Sequence, residues 1–560
     1  MDKLSMEVRM LIAFLLILAV FGVNQYFSPP PPPTPAQNQV VQTKQDIAKA
    51  TTPPPSATNA PAALAGPLPG AVKAEQVETF AIETNVYKVV FSNRGATVHD
   101  WILKTYKDGA GKPLELIDQR ALQMTDKAPP APFALAFRNS PAGGDVNVGL
   151  YKVTRSDDGL SATFEYSDGR VAAKKTFQFT KDSFLVRVTS QVTENGVLIP
   201  HSLVWRGGFG DTTGTNPTAD ARSLYFDSSN SSLEKKQASD AKDGPVSASG
   251  TFAFAGLEDR YFASVVLPAS GGSLELTTYT DEVPAADGKK NEPHVGAAMG
   301  GSGALDFQLY VGPKDADFLK TVDPRLTQLI DWGWFRVIAQ PMFIVLHWLV
   351  NTLTHNWGWA IILLTVLINT VLFPLRLSSM KSSKKMQAIQ PELARLNEKY
   401  KGIAMNDPRK QQQNQEMMDL YKKNGINPVG GCVPMLIQIP FFYALYKVLS
   451  ITIELRGAPW LWVSDLSQPE AMAIRALPII LAGTQFLSQK MTPAPGMDPT
   501  QQKVMMIMPL MFLYLFWYAS AGLVLYWLTS NLVSIAQQWL LNRNSPAPAV
   551  AVVVPSRKKR

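Results

Sequence analysis

Thr365 and Asn369 lie four residues apart inside the apolar run Trp357 to Leu375, so a hydroxyl and a carboxamide share one face of any helix formed there. Arg376 follows seven residues after Asn369, about two turns on and on roughly the same face. Neutral hydrogen-bonding groups recur in later apolar runs, with Gln438 in one, Gln485 beside Thr484 in another, and Thr529, Ser530, Asn531, Ser534 and Gln537 in the last. Such groups can hold water or a polar stretch of peptide at membrane depth, where lipid tails cannot. They supply no acid–base, nucleophilic or metal chemistry, so neither a catalytic residue nor a cofactor is expected. These runs carry essentially no Asp, Glu or Lys, which removes the proton relay or ion-coordinating carboxylate of a pump. The chain also lacks a G-x-x-x-x-G-K-[ST] phosphate loop. Two plainer readings stay open: Thr365 bonding its own backbone while Asn369 joins two helices, and Arg376 serving as an ordinary inner-side anchor.

These residues need a membrane to work in, and the composition provides for one. Of 560 residues 46% are hydrophobic, with 12 Trp, and the apolar runs concentrate in the last 230 or so positions. The formal charge of +8 gathers around those runs, a pattern of membrane orientation rather than nucleic-acid binding. The single cysteine, Cys432, permits neither an internal disulfide nor a cysteine metal cluster. Read in order, residues 1–27 form an uncleaved anchor with its N-terminus inside, and 28–73 a Pro-rich tether on the outer side. Spans are expected over 356–377, 429–450, 476–489, 503–519 and 522–541, six with the anchor, and a basic tail covers 542–560. Both ends then lie in the cytoplasm. Residues 323–354 are hydrophobic enough to span, yet Arg336, Gln340, His347 and Asn351 oppose Phe335, Ile338, Met342, Val345 and Leu349. A crossing there would put the basic loop outside, so an interfacial helix is expected. That loop, 378–428, reads as two antiparallel helices joined by a short loop, the second capped and begun by Asp407-Pro408, with a basic face suited to ribosomal RNA, anionic lipid or an incoming chain.

From 75 to 320 the pattern turns to period two, as in Tyr87 to Phe91, Lys175 to Phe179 and Phe184 to Val192, between Asp-Gly, Asn-Gly and Gly-Gly turns. This predicts a large all-β sandwich outside the membrane. His99, His201 and His294 show no ligand or triad spacing, and the carboxylates sit among Lys and Ser in turn-like segments, so a docking or structural role is expected. The spans together offer a mildly polar surface, rich in aromatic residues and Met, that can shelter a polar segment of another chain. Met505, Met506, Met508 and Met511 suit varied partners because thioethers repack easily. The rival is a solute channel or transporter.

Several stretches resemble the YidC/Oxa insertases: GCVPMLIQIPFFYALYKVL (Gly431 to Leu449), ELRGAPWLWVSDLS (Glu454 to Ser467), QKMTPAPGMDPTQQKVMMIMP (Gln489 to Pro509), SAGLVLYWLTSNLVSIAQQ (Ser520 to Gln538) and NWGWAIILLT (Asn356 to Thr365). VVFSNRGATVHDWIL (Val89 to Leu103) is similar to the outer domain of the Gram-negative members. The resemblance implies a polytopic α-helical membrane protein of six spans, with a five-helix core and a periplasmic β-supersandwich, in the bacterial inner membrane. It implies that nascent membrane proteins enter the bilayer through a hydrophilic groove, without nucleotide hydrolysis or a small-molecule substrate. The Sec translocon, the ribosome (through the hairpin and tail) and anionic lipids are the implied partners. Thr365 and Trp527 match a groove pair, and Gln438, Gln485, Ser530 and Asn531 are expected to line the same groove. Many bacterial members carry a groove Arg or Lys four residues after that Thr, where this chain has Asn369; Arg376 is the candidate to supply the charge.

Overall fold

The computed structural model describes residues 70–543, apart from 138–142, 214–217, 219, 269–272, 287, 375, 378–384, 387, 401, 403–406, 426–432, 473 and 492–498. The expected anchor (1–27), most of the tether and the tail beyond 543 lie outside the described residues. Two compact units emerge: a β unit of 70–339 with 447–457, and a helical unit of 340–446 with 458–543.

In the β unit three antiparallel sheets share one apolar core. A four-stranded sheet joins Thr79–Glu83, Tyr87–Ser92, Thr97–Lys107 and Pro113–Glu115. A ten-stranded sheet runs from the edge strand Ser232–Lys236 to the edge strand Lys152–Arg155, and a five-stranded sheet is built on His201–Trp205, Leu274–Pro284 and Asn291–Gly301. Strand Val171–Phe179 shows why the pattern folds so, since alternate residues Val171, Ala173, Lys175, Phe177 and Phe179 all turn inward. Trp101, Phe133 and Trp205 meet at ring distances of 5.8–5.9 Å in the core.

Two features of this unit differ from expectation. The carboxylates are not confined to turns: Glu258, 3% exposed, lies between Lys235 at 2.6 Å and Lys314 at 3.2 Å. Burial alone would lift its pKa, but the two ammonium groups more than offset this and hold it below the usual carboxylate value. The inward lysine, Lys175, is the second exception, because the alternation that buries its neighbours buries it too. His201 is an ordinary core histidine, paired with Ser190 Oγ at 2.9 Å and Ile199 O at 3.1 Å, and burial pulls its pKa down to about 4.

The helical unit contains α1 (Arg336–Leu349, entered from the β unit), α2 (Trp357–Val371), α3 (Gln390–Lys399), α4 (Pro408–Lys423), α5 (Val433–Ile451, whose last turn groups with the β unit), α6 (Ala476–Met491), α7 (Pro499–Trp517) and α8 (Ala521–Arg543). A π-helical turn, Val350–Thr354, extends α1 until His355 adopts a left-handed conformation. Arg336–Thr354 is the one stretch among the described residues whose length and hydropathy suffice on their own to cross a membrane. Val337, Ile344 and Trp348 are exposed, as are Arg336 and Asn351, while Ala339, Met342, Leu346 and Leu349 are buried. Proline interrupts less than its chemistry allows, since α5 and α7 run through Pro440 and Pro509, as helices with packed neighbours tolerate. In the hairpin Asp407 accepts from Arg409 N to cap α4, and Ile389 and Leu393 pack against Met417, Leu420 and Tyr421. Glu416 receives Lys399 at 2.9 Å and Tyr400 at 2.8 Å.

Candidate functional site: a polar thread through apolar helices

Asn356 starts α2 by accepting from Gly358 N and Trp359 N, and its own amide reaches Pro459 O at 2.9 Å. Along the helix, Thr365 and Asn369 turn inward and are 0% and 3% exposed. The Thr365 hydroxyl donates to Ile361 O at 2.6 Å, and the Asn369 amide donates to Thr365 O at 2.7 Å. Both use the i−4 carbonyl of their own helix, which for Thr365 is the plainer arrangement the sequence left open. Asn369 also looks across: Ser530 Oγ on α8 donates to its Oδ1 at 3.4 Å.

Beyond the last turn of α2, Arg376 bridges two helices. Its Nη1 donates to Ser534 Oγ on α8 at 2.6 Å and its Nη2 to Gln438 Oε1 on α5 at 3.0 Å. Both partners are neutral, so they satisfy the guanidinium without cancelling its charge. One turn from Ser534, Asn531 donates to Gln485 Oε1 on α6 at 2.7 Å, and Ser534 itself bonds Ser530 O at 2.7 Å. From Thr365 to the end of α2 at Val371 the thread follows the helix for roughly 9 Å at helical rise.

Trp527 stands elsewhere on α8. It meets Phe442 of α5 edge to face at 4.5 Å, and Phe516 and Phe512 of α7 at 5.2 and 5.8 Å. The structure thus brings Asn369, Arg376, Gln438 and Ser530 together, and Asn531 with Gln485. No hydrogen bond joins Thr365 to Trp527, which belongs to the aromatic cluster. Reading from sequence missed Ser534 as a partner of Arg376, although the i, i+4 repeat of Ser530 and Ser534 was there to be seen. It missed the aromatic ring around Trp527 as well, which Phe512 and Phe516 announce by the same spacing.

The connector 458–475 closes one end of this unit. Ala521 N and Gly522 N donate to Gln468 O and Leu466 O, Glu470 accepts from Trp462 Nε1 and Leu477 N, and Arg475 donates to Trp517 O. The first turns of α2, α6 and α8 and the last of α7 are thereby held by one segment. Gly358 is essential to the fit, because a Cβ there would enter the Trp460 side chain. Gly358→Val is expected to destabilise the helical unit by about 1–3 kcal/mol, the usual cost of overpacking. A lower thermal midpoint in detergent, partly restored by adding Trp460→Ala, would be the measured result.

A β-rich unit joined to apolar helices that carry a polar thread around one guanidinium is the build of a membrane protein with a large domain outside the bilayer. Residues 348–548 match the family model for the 60Kd inner membrane protein, and residues 79–345 match that for the YidC periplasmic domain. A membrane protein insertase YidC of Ralstonia nicotianae is 34% identical over 505 residues, 88% of each chain, and that of Geobacter sulfurreducens is 35% identical over 557 residues, 96% of this chain and 99% of its own. Among solved structures, an active YidC insertase with its first transmembrane domain resolved covers 86% of this chain and 95% of its own at 18% identity and a TM-score of 0.37. The chain belongs to the YidC family of membrane protein insertases, and it is an inner-membrane protein with a periplasmic β-rich domain.

Proposed function

We propose that this insertase passes the hydrophilic part of a client along the thread formed by Thr365, Asn369, Arg376, Gln438, Gln485, Ser530 and Asn531, with Trp527 and its ring of phenylalanines meeting the apolar part. The observation that carries this reading is Arg376, which bridges α5 and α8 through the neutral side chains of Gln438 and Ser534, its hydrogen-bond partners among the described residues. A charged residue at the bilayer centre costs from about 3 to more than 10 kcal/mol, and a hydrated, hydrogen-bonding path lowers that barrier without covalent chemistry or a cofactor. The chain in this reading is not an enzyme. It has six spans with both termini cytoplasmic, and Arg336–Thr354 lies in the outer interface so that the basic hairpin stays inside. That hairpin and the tail meet the ribosome and anionic lipid, and the Sec translocon is a partner for larger clients.

Photocrosslinkers placed at Thr365, Gln438 and Trp527 during synthesis of a short membrane protein test the path. Adducts to the nascent chain from all three positions are expected. Adducts to lipid alone would sink it.

A further inference from the structure

The segment Lys447–Gly457, at the end of α5, groups with the β unit. Lys447 Nζ pairs with Asp331 Oδ2 at 2.8 Å. Ile453, 1% exposed, belongs to the β-unit core, and Ile451 packs against it. Arg456 then closes the dock. Its Nη2 lies 2.5 Å from Asp211 Oδ2, with the two side chains 8% and 12% exposed, and the same group donates to Lys107 O at 2.6 Å. The guanidinium sits 5.9 Å from the Tyr261 ring and 5.7 Å from that of Phe262. Asp211 is itself fixed, accepting from Thr213 N and Oγ1 through Oδ1 and donating its own N–H to Asp259 Oδ2. A largely buried, two-sided cation site of this kind holds a segment in one place, and removing one partner leaves the other charge stranded.

We propose that Arg456 is a positioning residue for insertion: by locking 447–457 onto the β unit it sets the outer end of α5, the helix that carries Gln438 and Phe442. The inference rests on the reading that those two residues line the client path. It gives the periplasmic domain a mechanical part in the work of the membrane helices. Glu454, three residues after Ile451, adds a grading by pH. Burial, with Asp315 and Asp317 nearby, pushes its carboxyl up to about 7 against the pull of its own backbone N–H. Tyr106 faces it from the β unit, between Glu454, Asp315 and Arg456. Because the docked form holds the Glu454 proton more tightly than a released segment does, the dock weakens as pH rises from the ordinary carboxylate range to about 7.

The full chain in liposomes, with a short client, supplies the test. Arg456→Asp is expected to lower hydrogen-exchange protection factors across 447–457 at least tenfold and client insertion at least fivefold. Adding Asp211→Arg should return both to within twofold of the parent, a rescue that a general loss of packing would not show. The parent should be better protected there at pH 6 than at pH 8, and Glu454→Gln should remove most of that difference. Lower protection with undiminished insertion would overturn the positioning role, and unchanged protection would overturn the dock. So would a pair of reversed charges that fails to rescue while the β unit keeps the parent's melting midpoint. Crosslinking from Gln438 in the unmodified chain reports separately on the client path, so failure of that reading shows before any variant is made.

Discussion

Arg376→Glu is expected to reduce insertion of a client with an acidic translocated segment at least tenfold, while a client with a neutral segment loses no more than twofold. The asymmetry follows from the partners. Ser534 Oγ and Gln438 Oε1 are dipoles that a client carboxylate can displace from the guanidinium, whereas an acidic partner on the protein would already have neutralised it. Reversing the sign turns attraction for the client carboxylate into repulsion. Arg376→Lys keeps the charge but cannot bridge α5 and α8 with a planar fork, so an intermediate loss is expected. The same pair of clients distinguishes this role from that of an inner-side anchor. An anchor would alter the orientation of α2, which protease accessibility of the hairpin reads, and would affect both clients alike. Reconstituted insertion measured at two ionic strengths completes the comparison, since the advantage of the acidic client should shrink with salt where the thread is wet.

How much of this was legible in the sequence depended on whether one periodicity decided the matter. Thr365 and Asn369 could be placed on one inward face by spacing alone, and they are inward. What spacing cannot tell is which acceptor a hydroxyl chooses, and both residues turned to the carbonyl four residues back, which is always within reach on a helix. The link from Arg376 to Ser534 and Gln438 joins residues 158 and 62 positions apart, a matter of helix packing that no local pattern encodes. Alternation identified strands such as Val171–Phe179, but it is silent over Phe252–Glu258, where every residue is buried because the strand is covered on both faces. The placing of α1 is undetermined by spacing for a related reason. With apolar residues nearly all round, its orientation is decided by what packs on it rather than by its own pattern.

Lys175→Met should be among the most damaging single changes in the β unit, although it exchanges a buried charge for an apolar chain of similar length. Lys175 is 0% exposed, and its ammonium donates to Gly95 O at 2.8 Å, Phe133 O at 2.7 Å and Ala96 O at 3.2 Å. All three carbonyls belong to residues with left-handed backbones, φ 66°, 67° and 48°, so the lysine pins two strained turns to the strand that carries it. Three acceptors call for three donors, which only the charged amine has. Burial opposes that form and pulls the pKa down to about 7. The unfolded chain binds this proton up to the ordinary lysine value, so between about 7 and 10.5 the unfolded state holds more protons and stability rises with pH. Methionine removes that slope and leaves three interior carbonyls unpaired at about 1–3 kcal/mol each, which outweighs the relief of not burying a charge. A net loss of about 3 kcal/mol is expected, or roughly 6–12 °C in the midpoint for a unit of this size. Thermal unfolding of the full chain in detergent, followed by the near-ultraviolet signal of the packed Trp101 and Trp205, reads it directly. An unchanged midpoint, or a pH slope that survives the substitution, would mean the two turns are held by something other than this one amine.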